Sequence, residues 1–260
     1  MKSWEFSKLI VVAMILALPL QLKTTAQYAT SAGINQKSTH GNASSALLVP
    51  SLLIGTGLAT MFDHGWFSSY EAQEYLQEKH PDFHCNIENY LMFLPAAGVY
   101  GLNLAGIEGK NGFTDRSVIY FVSLGLTLAT TTILKTGAGV ERPDGSDFRS
   151  FPSNHAAIAF ASATFLYEEY KTTSIWYGIA GYSVATITGV LRMLNNRHWM
   201  SDLLVGAGFG ILWTKAIYLF YPAIKNSVHS GYGRGDRINL TVMPYLSSNR
   251  YGILVRYHFR

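Results

Sequence analysis

Six apolar stretches occupy most of the chain, and two of them carry no formal charge over 18 and 20 residues, at 117–134 and 172–191. A bilayer core requires about 20 apolar residues in helical conformation, so both are long enough to cross it. The other stretches are shorter or contain polar residues, which suits short spans or the buried helices of a compact bundle. The six lie at about 45–62, 87–107, 117–137, 155–170, 172–194 and 202–222. We therefore predict an all-α fold, a membrane-embedded bundle of about six apolar helices.

The N-terminus has the composition of an export signal. Leu9–Leu20 is wholly apolar, follows a segment with two lysines, and precedes small residues at Thr24 and Ala26. An apolar core of this length is short for a membrane span but typical of a secretory signal. We expect a signal peptide at 1–26, with an uncleaved anchor as the alternative, and a flexible lead-in at 27–44.

The C-terminal part differs in composition and residue pattern from the helical domain that we place at 45–222. Residues 223–260 begin as a loop rich in Gly and Ser and then contain two runs of alternating residues, Ile238–Leu246 and Tyr251–Phe259. Alternation on both sides of a short polar turn predicts a C-terminal β-hairpin.

Charge and cysteine content narrow the choice of partners. The net charge is +4, but no basic block is interleaved with aromatic residues, so nucleic acid is not an expected partner. A phosphate group or an anionic lipid fits the positive balance better. Cys85 is the single cysteine of the sequence, which excludes an internal disulfide and a cysteine-based metal site. The oligomeric state is not indicated.

Three short polar segments lie at the ends of apolar stretches. They are Lys135-x6-Arg142-Pro143, Pro152-Ser153-Asn154-His155, and Arg192-x5-His198-x3-Asp202. Only one of these side chains is a carboxylate, and three are cationic, so we expect neither a metal site nor a cofactor.

This set of side chains suits a bound phosphate. Lysine and arginine bind its oxygens, and the helix N-terminus after Ser153 offers amide groups and a favourable dipole. Two histidines with pKa values ordinarily near 6.5 can divide the roles of nucleophile and acid. A hydrogen bond from one ring nitrogen of His198 to Asp202 would fix the tautomer whose other nitrogen attacks phosphorus.

Together the segments resemble the type 2 phosphatidic acid phosphatase (PAP2) superfamily, which also holds class A acid phosphatases and vanadium haloperoxidases. The chain keeps every charged and histidine position of the family pattern at the family spacing, over residues 135–202. The resemblance implies that His198 forms a phosphohistidine, that Asp202 orients it, and that His155 is the general acid. It also implies a phosphate-binding clamp, made of Lys135, Arg142, Ser153, Arg192 and the amide of Asn154.

Two positions depart from the family pattern. Asn154 replaces a glycine. Since Asn tolerates positive φ best among non-glycine residues, its amide can still point at the phosphate at modest strain. Leu191 replaces a serine next to Arg192. Between the first two motifs, Asp144 and Asp147 have two alternative roles, to shape the pocket mouth or to keep the loop soluble, and we favour the second.

The function that we infer is removal of phosphate from a lipid without a metal. Candidate substrates are a lipid A phosphate, undecaprenyl pyrophosphate, phosphatidylglycerophosphate and phosphatidic acid. Alternatives are a soluble periplasmic acid phosphatase acting on small phosphomonoesters, a vanadate-dependent haloperoxidase, and a non-catalytic envelope scaffold.

The expected location is the cell envelope, with the inner membrane and a periplasm-facing site preferred over a soluble periplasmic or outer-membrane-associated protein. After cleavage of a signal, six full crossings would place Lys135 on the cytoplasmic side. A periplasmic site therefore requires that 45–62 does not fully cross, which its length and Pro50 permit.

Overall fold

The computed structural model describes residues 43–61, 68–232, 239–247 and 250–258. These residues form a helical bundle, as predicted, with eight helices followed by two strands. The helices are α1 (Ala43–Ala59), α2 (Ser69–Lys79), α3 (Glu88–Leu91), α4 (Leu94–Leu104), α5 (Phe113–Ala138), α6 (Asn154–Tyr170), α7 (Ile175–Leu194) and α8 (Met200–Tyr232). The predicted signal peptide and most of the lead-in lie outside the described residues.

The eight helices exceed the six predicted apolar helices for two reasons: an amphipathic helix lies outside the apolar stretches, and one apolar stretch is divided into two helices. The acidic segment before residue 87 contains α2, which begins at the N-cap Ser68, whose hydroxyl accepts a hydrogen bond from the amide of Tyr70. The apolar stretch 87–107 breaks into α3 and α4, and Pro95 stands in the first turn of α4, where proline is compatible with a helix start.

Helix α6 forms the centre of the bundle. Every residue from Ala156 to Tyr170 is buried, including Glu168 and Glu169. Alanine recurs along this helix, and such small side chains allow neighbouring helices to approach closely. It packs against α7, α5 and α4. The stretch 155–170 is therefore a buried core helix of the bundle.

Helix α8 approaches α6 closely through glycine. A Cβ atom at Gly206 would collide with the carbonyl oxygen of Ser153, and one at Gly210 with that of Ala157. The amide of Ser153 also donates to the carbonyl of Asp202, with N and O 3.0 Å apart. These contacts bring the first three turns of α8 against the start of α6.

Two helical segments are long and apolar enough to cross a membrane, Phe113–Ala138 and Met200–Asn226. The first contains the charge-free stretch 117–134. Helix α7, which contains most of 172–191, is long enough but less apolar. Among the shorter apolar helices is Ala46–Ala59, within the stretch that a periplasmic site requires not to cross.

Residues from Phe220 onward cluster as a second compact unit. In it, β1 (Asn239–Ser247) and β2 (Arg250–His258) pair antiparallel, with Asn239 opposite His258 and Ser247 opposite Arg250.

Candidate active site

His198 and Asp202 form a buried pair at the start of α8. The Nδ1 atom of His198 lies 3.2 Å from Oδ2 of Asp202. The same oxygen accepts from the amide of Trp199 at 2.9 Å and from the hydroxyl of Ser150 at 2.5 Å. Because Nδ1 faces the carboxylate, Nε2 of His198 is the nitrogen available to a reacting group.

Burial keeps the His198 ring neutral. It lowers the pKa of His198 to about 4, an effect that Asp202 opposes and that the positive charges of Arg192 and Lys135 reinforce. The ring is therefore uncharged above about pH 4, and a neutral imidazole has the lone pair that a nucleophile requires.

His155 lies at the first turn of α6, after the N-cap residue Ser153. Its Nε2 atom is 2.8 Å from Oδ1 of Asn89. Burial lowers the pKa of His155 to about 3, and the charges of Arg192, His198, Arg142 and Lys135 act in the same direction. The structure thus places both predicted histidines and the three predicted cations close enough for their charges to interact.

The three predicted cations are held in different ways. Lys135, in the last turn of α5, donates to the carbonyl oxygens of Arg149 and Ser150 at 2.6 and 3.1 Å. Arg142 pairs through Nε with Asp147 at 2.8 Å, and Arg192 pairs through Nη1 with Glu88 at 3.2 Å. These contacts fix the cations in place before any anion arrives.

Arg192 retains an unused donor. Its Nε atom is buried and has no hydrogen-bond partner among the described residues. A buried donor without a partner costs free energy, so an anion bound at this position would be stabilised by it.

The first turn of α6 departs from the family pattern at one position. Asn154 is its first helical residue, and the described non-glycine residue with positive φ is Asn196, at φ 58°, so Asn154 does not use the positive φ that asparagine tolerates. A helical start aligns the amide without backbone strain. The Ser153 side chain caps this helix by accepting from the amide of Ala156 at 3.4 Å.

The loop acids do more than keep the loop soluble. Asp147 pairs with Arg142, and Asp144 pairs with Arg197 at 2.8 Å. Asp147 also lines a polar pocket of about 290 Å³ together with Arg142, Arg192 and Arg197. Asp147 therefore belongs to the pocket wall, the less expected of the two alternatives, whereas Asp144 is outside the lining and pairs with Arg197.

Sequence reasoning missed three residues that contact the predicted site, Glu88, Asn89 and Ser150. All three are distant in sequence from their partners, so no spacing pattern links them. One signal was available, since Glu88 is the sole acid in the apolar stretch 87–107, and an isolated charge in such a stretch commonly has a partner.

The fold and the site together define a class. A helical bundle brings a His–Asp pair, a second histidine at a helix start and a set of fixed cations to one place, as an enzyme acting on phosphate groups requires. Residues 116–225 match the model of the PAP2 superfamily. The match to the PAP2 superfamily covers this part of the chain, which is related to bacterial lipid A phosphatases, and it confirms the resemblance seen in the three motifs.

Two curated proteins show the relationship. The Lipid A 1-phosphatase of Porphyromonas gingivalis is 39% identical over 132 residues, which cover 50% of this chain and 29% of that protein. The chain thus spans less than a third of that relative's length. The Lipid A 4'-phosphatase of Helicobacter pylori is 29% identical over 164 residues, 57% of this chain and 81% of that protein.

Two crystal structures are similar at low TM-score. Aquifex aeolicus LpxE matches with a TM-score of 0.42 and 20% identity, over 56% of this chain and 93% of that one. A transmembrane PAP2-type phosphatidylglycerolphosphate phosphatase from Bacillus subtilis matches with a TM-score of 0.40 and 17% identity, over 82% of this chain and 96% of that one.

Proposed function

We propose that this protein is a phosphatase that removes phosphate from a lipid through a phosphohistidine at His198. The observation that carries the proposal is the buried pair of His198 and Asp202, 3.2 Å apart, in the field of Arg192 and Lys135. A neutral, oriented imidazole beside fixed cations is suited to attack on a phosphate ester.

The proposed reaction has two steps. In the first, Nε2 of His198 forms a bond to phosphorus, the bond from phosphorus to the leaving oxygen breaks, and protonated His155 gives its proton to that oxygen. In the second, His155 takes a proton from water, the water oxygen bonds to phosphorus, and the bond to His198 breaks. Asp202 stabilises the positive charge that the His198 ring carries in the intermediate. Lys135, Arg142, Arg192 and the start of α6 at Ser153 and Asn154 would bind the phosphate oxygens.

We favour a lipid A phosphate as the substrate. Both curated relatives are described as lipid A phosphatases, one acting at the 1 and the other at the 4' position. The other lipids to be tested are undecaprenyl pyrophosphate, phosphatidylglycerophosphate and phosphatidic acid.

We place the domain in a membrane of the cell envelope. Helix α5 is of membrane length, and it exposes large apolar side chains at Phe113, Phe121 and Ile133. Exposed apolar residues in such number favour contact with lipid over contact with water.

The periplasm-facing site remains part of this proposal. It is tested by labelling Ser146→Cys, in a Cys85→Ser background, from outside intact cells. Labelling would support the proposed side, and protection until lysis would reverse it.

The deciding experiment is a phosphate-release panel on the purified full chain in detergent. It compares the four lipids with p-nitrophenyl phosphate, using His198→Ala as the blank and His80→Ala, an exposed histidine at the end of α2, as the matched control. We expect release from lipid A by the wild type and the control but not by His198→Ala. Full release by His198→Ala would overturn the mechanism.

The soluble acid phosphatase is the second candidate, because only two segments of the described residues are both long and apolar enough to cross a membrane. It predicts extraction by a salt wash without detergent, with p-nitrophenyl phosphate hydrolysed faster than any lipid. Metal independence also remains a prediction, and undiminished release after dialysis against EDTA is its test.

A further inference from the structure

Resting on the proposed function, we propose that the segment Cys85–Asn89, which lies outside the three motifs and outside the family match, positions the reacting groups. In this assignment Glu88 holds the Arg192 guanidinium and Asn89 holds the His155 ring. The segment precedes the family match, which begins at residue 116, and neither the motif spacing nor the chemistry of the motifs points to it.

The segment is fastened to the end of α7 by one asparagine. The side chain of Asn195 donates to the carbonyl of Cys85 at 2.7 Å and accepts from the amide of Cys85 at 3.0 Å. It also donates to Oε1 of Glu88 at 2.8 Å. Three hydrogen bonds from one side chain therefore fix Glu88 against α7, three residues beyond Arg192.

Glu88 is placed to orient Arg192. The Glu88 side chain is buried, and its Oε1 accepts from Nη1 of Arg192 at 3.2 Å. Its Oε2 is buried without a partner among the described residues. An amide in place of this carboxylate can keep Oε1 as the acceptor and put its NH₂ group where Oε2 makes no bond. A substitution of Glu88 by glutamine therefore removes the negative charge but keeps the acceptor for Arg192.

Asn89 is placed to orient His155. Its Oδ1 lies 2.8 Å from Nε2 of His155, while its Nδ2 donates to the carbonyl of Asn86 at 3.1 Å. The second bond fixes which end of the amide faces the ring, so Nε2 of His155 carries the proton. The charged groups acting on His155 are Arg192, Arg142, Lys135 and the His198 ring, all cationic when protonated. Asn89 gives the protonated ring an acceptor among them.

The Glu88 test uses Glu88→Gln and Glu88→Ala, with Glu78→Gln, at an exposed site on α2, as the control. The readouts are kcat on the preferred lipid and the affinity for inorganic phosphate by calorimetry, which needs no turnover. Both Glu88 variants remove a negative charge near the anion, so Glu88→Gln should bind phosphate more tightly, by about tenfold, whereas Glu88→Ala, which also loses the contact that orients Arg192, should gain less. Only Glu88→Ala also loses the acceptor, and its kcat should fall about tenfold or more, while Glu88→Gln stays within about threefold.

A merely structural role for Glu88 would weaken phosphate binding in both variants, and that result would overturn the assignment. Unchanged kcat in a folded Glu88→Ala protein would do the same. The two proposals can fail separately. If the wild type shows no phosphate release that depends on His198, the proposed phosphatase activity is refuted. The phosphate affinities of the Glu88 variants would still test whether Glu88 orients Arg192.

The Asn89 test uses Asn89→Ala and Asn89→Asp. The alanine variant loses the acceptor, and its kcat should fall about tenfold. The aspartate variant restores the acceptor with a negative charge 2.8 Å from the ring nitrogen, which favours protonated His155. It should recover activity and move the alkaline limb of the pH profile upward by about one unit or more. An unshifted profile in Asn89→Asp, or full kcat in Asn89→Ala, would overturn the role of Asn89.

Discussion

Replacing Asp202 by Asn isolates the charge of this carboxylate from its hydrogen bonds. Oδ2 of Asp202 accepts from His198, Trp199 and Ser150, whereas Oδ1 is buried with no partner among the described residues. An asparagine can therefore keep its oxygen at the Oδ2 position. At 3.2 Å and an effective dielectric constant of about 20, the lost attraction to a positive His198 ring is about 5 kcal/mol. At about 1.4 kcal/mol per factor of ten, kcat should fall about 10³- to 10⁴-fold.

The assay is single-turnover phosphate release in detergent with the preferred lipid, compared with Asp82→Asn, an exposed aspartate outside the site. Ser150→Ala removes a hydrogen bond to the same oxygen without removing charge, and its loss should stay within about tenfold. A folded Asp202→Asn protein that loses less than tenfold would refute the electrostatic role of Asp202. Equal losses in Asp202→Asn and Ser150→Ala would assign the effect to geometry.

Three further predictions concern titration and packing. In the ligand-free protein, the ¹⁵N resonances of His198 should titrate near pH 4, because burial disfavours the charged ring; a midpoint near 6.5 would contradict this. Gly206→Ala should lower stability by about 1–3 kcal/mol because its Cβ meets the Ser153 carbonyl, whereas Gly55→Ala, with open space at that position, should not lower the melting temperature. Glu169→Ala should destabilise by about 3–5 kcal/mol, since it leaves a buried arginine without its carboxylate, and kcat per folded molecule should stay unchanged.

The chemistry-bearing residues could be predicted from sequence because they act through local spacing. His198 and Asp202 are four residues apart at a helix start, so their contact follows from helical geometry. Ser153 caps α6 for an equally local reason. Helix α6 was the ambiguous case, since its length fits both a short span and a core helix. Its burial on all sides depends on contacts with other helices that no window of sequence contains.

The residues that hold the site in place could not be predicted, because most of their partners are far away in the sequence. Glu88 reaches Arg192 across 104 residues, and Asn89 reaches His155 across 66. Asp147 is only five residues from Arg142, yet an acid in a polar loop looks the same whether it is solvated or paired. What distinguishes these acids is that each carboxylate has a cationic partner in the folded chain.

A bound phosphate explains how His155 can act as an acid although its pKa in the free protein is about 3. Besides burial, the positive charges of Arg192, Arg142 and Lys135 lower that pKa. A phosphate dianion bound among these cations offsets their charge next to His155, which favours its protonated form. We expect inorganic phosphate at saturation to raise the pKa of His155 by about two units or more, as measured from its ¹⁵N resonances. The shift should shrink in Arg192→Gln, where phosphate is held more weakly. A His155 pKa that phosphate leaves unchanged would assign the leaving-group proton to water instead, because no other titratable group among the predicted site residues combines a neutral form with this position at the start of α6.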